Sequence, residues 1–247
     1  MEKKINAVVL KAINFGENDK ILTLFSLEEG IVLAKIKGVK KAGAKLKFAS
    51  EPFCFAEYTI SYSGDKNTVT GAYLYDGFYS IREDVIAYYI GACVLEFAKI
   101  FSLNDKNIEL FESVVNALKS ICYGEDNKYF SLIKFFVLGL KSVGYALNLL
   151  GCSGCKKEIE NRAFFKEQTG AFLCFDCADS EVIEVSVNTY KILKIASEEN
   201  GEKLSENEKK ELLENEFYLK RVLKFLAFYI DDKTSEKLKS LTDLLNL

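Results

Sequence analysis

Four cysteines carry the most specific chemistry in the chain. They stand as two pairs, Cys152 and Cys155 in Gly-Cys-Ser-Gly-Cys and Cys174 and Cys177 in Cys-Phe-Asp-Cys, with 18 residues between the pairs. A Cys-x2-Cys pair wraps a metal ion in a tight turn whose amides point back at the thiolates, and two such pairs supply a closed tetrahedral set. Four sulfur ligands leave no open position for a substrate. The ion is therefore expected to be single and structural, organising a segment at about 150–180 that has little core of its own. The intervening Ala163–Cys174 reads as a hairpin joining two knuckles, which favours zinc, although iron takes the same ligand set. Cys54, Cys93 and Cys122 lie in apolar surroundings and read as small buried hydrophobes.

A second concentration of chemistry runs from Ala34 to Lys47. It holds Lys35, Lys37, Lys40, Lys41, Lys45 and Lys47, two glycines and no acid, in a chain whose net charge is −3. Residues 1–80 carry eleven lysines against nine acids, while residues 81–247 carry twenty-two bases against twenty-seven acids. The positive charge is placed rather than scattered, and a placed basic ribbon suits a polyanion such as a nucleic-acid backbone. Nothing in it reads base edges, so recognition is expected to be independent of base sequence.

Other chemistries are poorly supplied. The chain has no histidine, which removes Ser-His-Asp and Cys-His catalysis, His-ligated catalytic zinc and the imidazole base. Glu17 and Asp19 could pair on a metal as in nucleases, but one acidic turn is thin for a two-metal site and reads as a turn or cap. No enzymatic activity is expected. The stretch Glu198–Glu216, with eight acids against three lysines, reads as a solvated helix pair.

These residues need a scaffold, and the sequence describes one in two parts. Ile5–Ala12, Lys20–Ser26, Gly30–Gly38, Phe53–Tyr62 and Thr68–Ser80 read as short strands, with a hairpin-like Ser-Gly-Asp-Lys-Asn turn before the last. Alternation in the third strand sets Lys35 and Lys37 on one face and Val32, Ala34 and Ile36 on the other. Five strands in so short a span suggest a closed barrel of OB type, since closure removes exposed edges. Residues 39–51 then form the loop between the third and fourth strands.

After Ser80 the period becomes helical. Helices are expected over Ile81–Phe101, Ile108–Cys122, Tyr129–Leu149, Val187–Ser197, Ser205–Leu213, Glu216–Ile230 and Ser235–Leu245, the third buried on most sides and the fifth opened by a Ser205/Glu208 capping box. The fold class is thus α+β: an N-terminal five-stranded OB-type barrel, residues 1–80, and an all-helical domain, residues 81–247, carrying a four-cysteine zinc-knuckle insertion. The longest uncharged stretch, Ser142–Cys155, is 14 residues and too short for a membrane span. The start is unlike a signal peptide, so a cytoplasmic, reducing, nucleoid-associated setting is expected.

The order of motifs resembles a known family. Phe15-Gly16-Glu17-Asn18-Asp19-Lys20 leading into Ile21–Ser26 and Gly30, then Lys35-Ile36-Lys37-Gly38-Val39-Lys40-Lys41, Glu51-Pro52-Phe53, the paired knuckles, and Phe217–Arg221 through Ser240-Leu241 are similar to the bacterial DNA repair RecO family. The resemblance spans nearly the whole chain. It implies an OB barrel, a helical domain with a zinc site, and a recombination mediator that binds single- and double-stranded DNA. It further implies annealing of strands coated with single-strand-binding protein and, with RecR, promotion of RecA loading. In that family the helical domain receives the acidic, hydrophobic-ended tail of single-strand-binding protein, for which Lys220, Arg221 and Lys224 are the candidates here. Family members often carry arginines in the basic stretch, and this chain has lysines there, which keep phosphate attraction but lose the planar fork. The alternative reading is a zinc-ribbon interaction module of a transcription or ribosome factor.

Overall fold

The computed structural model describes residues 1–64, 66–102, 106–197, 204–234 and 236–247. The chain forms two compact units, Met1–Gly124 and Glu125–Leu247. In the first, five strands, β1 (Glu2–Phe15), β2 (Asp19–Ser26), β3 (Gly30–Ile36), β4 (Phe55–Ser63) and β5 (Lys66–Asp76), close into a barrel of order β1-β2-β3-β5-β4. All neighbours are antiparallel except β3 and β5, whose parallel pairing (Lys35 with Thr68, Ile36 with Val69) shuts the barrel. The closed five-stranded barrel is the one the sequence leads one to expect.

Alternation explains why it closes. Ile5, Ala7 and Val9 of β1 point inward with Leu22 and Leu24 of β2, Val32, Ala34 and Ile36 of β3, and Ala56, Tyr58 and Ile60 of β4, all buried. Inward Tyr58 meets its polar obligation by donating to Ala49 O at 3.0 Å, because a buried hydroxyl without a partner is costly. At one end of the barrel the outward side chains are covered too. Phe25 and Phe55 meet Phe111 edge-on at 5.5 and 6.0 Å, which docks helix α2 (Ile108–Tyr123) on the barrel; α1 (Val85–Phe101) packs against α2.

The junction between strand and helix differs from the sequence expectation. β5 ends at Asp76, not Ser80, because Asp76 Oδ1 accepts from the Phe78 amide at 2.8 Å and Phe78 takes a positive φ of 44°. A 3-10 turn follows, and α1 starts at Val85 rather than Ile81 because Asp84 caps it, accepting from the Ala87 amide at 2.6 Å.

The second unit is built on α3 (Lys128–Ser142), with ten buried residues on most of its faces. Around it stand α4 (Val187–Ala196), α5 (Glu206–Glu214), α6 (Glu216–Lys233) and α7 (Lys239–Leu245). The Ser205/Glu208 capping box is formed. α3 stops at Ser142 instead of running to Leu149, since Gly144 turns left-handed (φ 86°) and Asn148 then bridges to Ala171 as extended chain. The expected start of the last helix at Ser235, the turn residue Asp65 and the part of the acidic stretch at 198–203 lie outside the described residues. A small sheet, β6 (Ala163–Lys166), β7 (Ala171–Leu173) and β8 (Ile183–Val185), in the order β7-β6-β8, completes the unit. No helix among the described residues is long and apolar enough to cross a membrane.

Candidate metal centre and nucleic-acid interface

The four knuckle cysteines converge. Their sulfur atoms all lie within 4.8 Å of one another, and Cys155 Sγ is 3.8 Å from Cys174 Sγ. A tetrahedral ion with bonds of about 2.3 Å to sulfur needs sulfur atoms roughly 3.8 Å apart, so the residues present fit a four-thiolate metal. The turn that delivers the first pair is fixed by backbone bonds: Lys156 N donates to Cys152 O and Cys152 N to Lys157 O, both at 2.8 Å. Gly151 there takes a φ of 108°, and a Cβ on it would meet Lys157 O at 2.9 Å. Gly154 lets the two knuckles close up, for its Cβ would stand 3.0 Å from both Cβ and Sγ of Cys177.

The electrostatics suit a bound cation. Burial opposes ionisation of Cys152, yet the amides of Cys155, Cys174 and Gly154 together outweigh it and bring this thiol down to about 6. The Cys174 amide donates to Cys152 Sγ at 3.3 Å. Crowding by the Cys174, Cys152 and Cys155 thiols pushes Cys177 up to about 12, the response of a compact sulfur cluster that a divalent ion would neutralise. The β6–β7 hairpin between the knuckles is held on the helices by aromatic packing. Phe165 meets Phe225 and Tyr229 of α6 at 4.8 and 5.3 Å, and Phe172 meets Tyr190 of α4 at 5.1 Å. β8, which pairs Ala163 with Val185, was not legible in the sequence.

The basic ribbon becomes a string of tight turns. Lys41 N donates to Gly38 O, Ala44 N to Lys41 O and Lys47 N to Ala44 O, each at 3.2 Å, and Gly38 and Gly43 supply the left-handed positions at φ 69° and 75°. Val39 is buried, and Leu46 and Phe48 pack against the barrel core. With these anchors inward, Lys37, Lys40, Lys41, Lys45 and Lys47 all face solvent and form no ion pair among the described residues, Lys37 being near enough to Asp19 to feel its charge. Lys35 is different: its ammonium pairs with Asp19 Oδ2 at 2.7 Å and lies 4.5 Å from the centroid of the Phe15 ring.

The acidic turn that could have held a metal is spent on this loop. Asp19 Oδ1 accepts from the Gly38 amide at 2.8 Å. Its carboxyl is held below the usual carboxylate range, first by the Lys35 ammonium and then by that amide. Asn18 O also accepts from Lys40 N at 3.1 Å, so the β1–β2 turn and the root of the loop are knit together. Glu17 is exposed beside them.

On α6 the three basic candidates separate. Lys220 is half-buried with its ammonium 5.4 Å from the Tyr129 ring centroid. Arg221 and Lys224 are exposed and fall on one stripe with Phe217 and Phe228, also exposed, since residues three and four apart share a helix face. The sequence singles out only the three cations on this helix, because the exposure of Phe217 and Phe228 is decided by how the helix packs. Of the remaining cysteines, Cys54 and Cys93 are buried, the Cys54 thiol pushed up to about 11 by burial, and Cys122 is half-buried with Sγ 2.7 Å from Ser80 Oγ.

These parts define a class: an OB-barrel protein with an anchored, cation-bearing loop and a helical body that carries a four-cysteine knuckle able to hold a metal ion. The family model described as Recombination protein O N terminal matches residues 1–78, and that described as Recombination protein O C terminal matches residues 82–242. The chain belongs to the RecO family. Among its relatives, the DNA repair protein RecO of Desulforamulus reducens is 30% identical over 235 residues, covering 93% of this chain and 90% of that one. That of Caldicellulosiruptor bescii is 27% identical over 237 residues, 92% and 97% of the two chains, and that of Clostridium novyi 27% over 243 residues, 96% and 91%.

Proposed function

We propose that this protein is a DNA repair mediator whose barrel, residues 1–80, holds the sugar–phosphate backbone of single- and double-stranded DNA on the lysine loop. The observation that carries the reading is the row of Lys37, Lys40, Lys41, Lys45 and Lys47, exposed and forming no ion pair among the described residues, on a loop whose apolar residues are anchored in the barrel. Cations held in this way on a short turn-rich loop release counterions from a phosphate backbone when they bind it. Membership of the RecO family supports the finer role: annealing complementary strands coated with single-strand-binding protein and, with RecR, promoting RecA loading. The helical domain, residues 81–247, would hold one structural zinc ion on Cys152, Cys155, Cys174 and Cys177 and receive the acidic tail of single-strand-binding protein on α6.

The test is anisotropy of a labelled single strand across a salt series. Five phosphate contacts give a slope of log affinity against log salt of about −3 to −4. The slope should flatten in a variant with Lys40, Lys41 and Lys45 changed to Glu; a weak, variant-insensitive binding would overturn the reading. A metal-dependent nuclease is disfavoured because Asp19 is already bound to Gly38 and Lys35; cleavage of labelled DNA with magnesium or manganese would reverse that judgement.

A further inference from the structure

Four strand aromatics of the barrel, Phe15, Phe25, Tyr58 and Tyr62, could in principle stack on bases, and the structure separates them. Phe25 and Tyr58 are fully buried, and Tyr62 donates its hydroxyl to Glu29 Oε2 at 2.6 Å. Phe15 alone of these presents its ring, with 48% of the residue exposed. It stands at the end of β1 on the outer face, where the register also sets Ile13, Ile21 and Lys35 side by side. Ile13 and Leu33 on that face are 51% and 59% exposed.

This aromatic is tied to the lysine loop. Lys35 braces the ring from 4.5 Å while its charge is held by Asp19, and Asp19 in turn holds the Gly38 amide where the loop begins. An exposed ring, braced by Lys35 and flanked by apolar side chains beside a row of solvent-facing cations, matches the needs of a strand whose bases are unstacked: phosphates on the lysines, one base on the ring. A duplex, with its bases already stacked inside, offers no such partner to the ring.

We propose that Phe15 is a stacking platform for an unpaired base of single-stranded nucleic acid, a contact that adds to the phosphate contacts and favours single strands over duplex. It rests on the proposed binding of DNA by the lysine loop. The chain contains no tryptophan, so Phe15→Trp places one emitter at the site. Its emission should be quenched by a thymidine oligonucleotide in step with binding followed by anisotropy, and should be unaffected by inorganic polyphosphate, which engages the cations but has no bases. Phe15→Ala should bind single strands on the order of tenfold more weakly at every salt concentration, with the salt slope unchanged, while Phe15→Tyr retains the affinity. Oligonucleotide that binds without quenching, equal quenching by polyphosphate, or an alanine variant of full affinity would overturn the stacking role and leave DNA binding standing. An alanine variant whose slope flattens would show Phe15 to be a brace for the loop and nothing more. Oligonucleotide that does not bind at all would remove both readings.

Discussion

The Gly38 amide donates to Asp19 Oδ1 at 2.8 Å, while the other oxygen of the same carboxylate takes Lys35 at 2.7 Å. A single acidic side chain thus fastens the last residues of β3 and the first residue of the lysine loop. In a stretch dominated by positive charge, it supplies the counter-charge that lets the loop start at a fixed place. Asp19 acts on the loop by position, and its ion pair sets Lys35 apart from the solvent-facing lysines of the loop.

Replacing Asp19 by Asn should loosen the root of the loop without changing the number of lysines. Exchange of the Gly38 and Lys40 amides with solvent should accelerate, and single-strand affinity should fall as the loop becomes less ordered. The carboxyl ionises below its ordinary range in the folded protein. The tie is therefore at full strength above about pH 4 and is lost as pH falls through the lower folded value. The stability difference between wild type and the Asn variant, read from urea unfolding, should accordingly be present at pH 7 and shrink toward pH 3. A difference that is equal at both values would mean that the charge of Asp19 contributes nothing.

The lysines should not be equivalent. Substituting Lys40, Lys41 or Lys45 singly by Ala should each reduce the salt slope by about 0.7 for single strands. Lys35→Ala should leave the slope near that of wild type, because its ammonium is committed to Asp19 and Phe15. Salt-dependent anisotropy on the four variants decides this, and a slope change at Lys35 as large as at Lys41 would contradict it.

Removal of the metal should act locally. One ion per chain is expected by elemental analysis, and chelation or Cys152→Ser should expose residues 150–185 to protease while leaving the barrel protected. Gly154→Ala should weaken metal retention as well, since its methyl would press on Cys177 from 3.0 Å. Full metal content and an unchanged cleavage pattern in Cys152→Ser would exclude the four-thiolate site.

The α6 stripe makes a separate prediction. Reversing Arg221 and Lys224 to Glu should abolish binding of an acidic peptide with a hydrophobic end and leave DNA affinity intact, and Phe217→Ala should weaken the peptide with no charge change. Lys220→Glu should do less, because Lys220 lies against Tyr129. Isothermal titration with the peptide would check all three, and unchanged affinity in the double reversal would remove the site.

Inside the barrel, Tyr58→Phe should destabilise the fold by about 1–3 kcal/mol. It leaves the buried Ala49 carbonyl without the hydroxyl that now donates to it at 3.0 Å. Urea denaturation monitored by circular dichroism would measure the loss, and a variant as stable as wild type would show that water reaches that carbonyl.

Much of this architecture is written in local pattern. Alternation marks β2 and β3 almost to the residue, and the spacing of the cysteines marks the knuckles, because both are set by neighbours in sequence. Elements set by distant partners were harder to read. β8 is Ile-Glu-Val, too short to signal itself, and exists because Ala163 and Phe165 pair with it. Tyr145–Leu149 continues the apolar pattern of α3, yet its chain is extended because Gly144 breaks the helix. The sequence shows six lysines alike; only the fold reveals that Lys35 is ion-paired with Asp19 while the other five form no ion pair among the described residues. Nothing in the sequence sets Phe15 apart from Phe25; its exposure follows from where β1 ends on the outer face of the barrel.

The closure of the barrel has a consequence for how the protein forms. Its seam is the parallel pairing of β3 with β5, through Lys35 with Thr68 and Ile36 with Val69, reinforced by Asn67 donating to Leu33 O at 3.0 Å. The β1–β2 and β2–β3 hairpins join neighbours in sequence, whereas the seam waits for β5 to be laid down, and long-range pairings of this kind are slow to assemble. The residues of the seam are those from which the lysine loop departs. A nascent or half-folded barrel therefore holds the cations on a loose tether, and the ordered surface arises in the same late event that locks the barrel shut. Any polyanion that prefers the ordered loop will hold the seam together by mass action, so ligand should slow the opening of the barrel from its weakest edge.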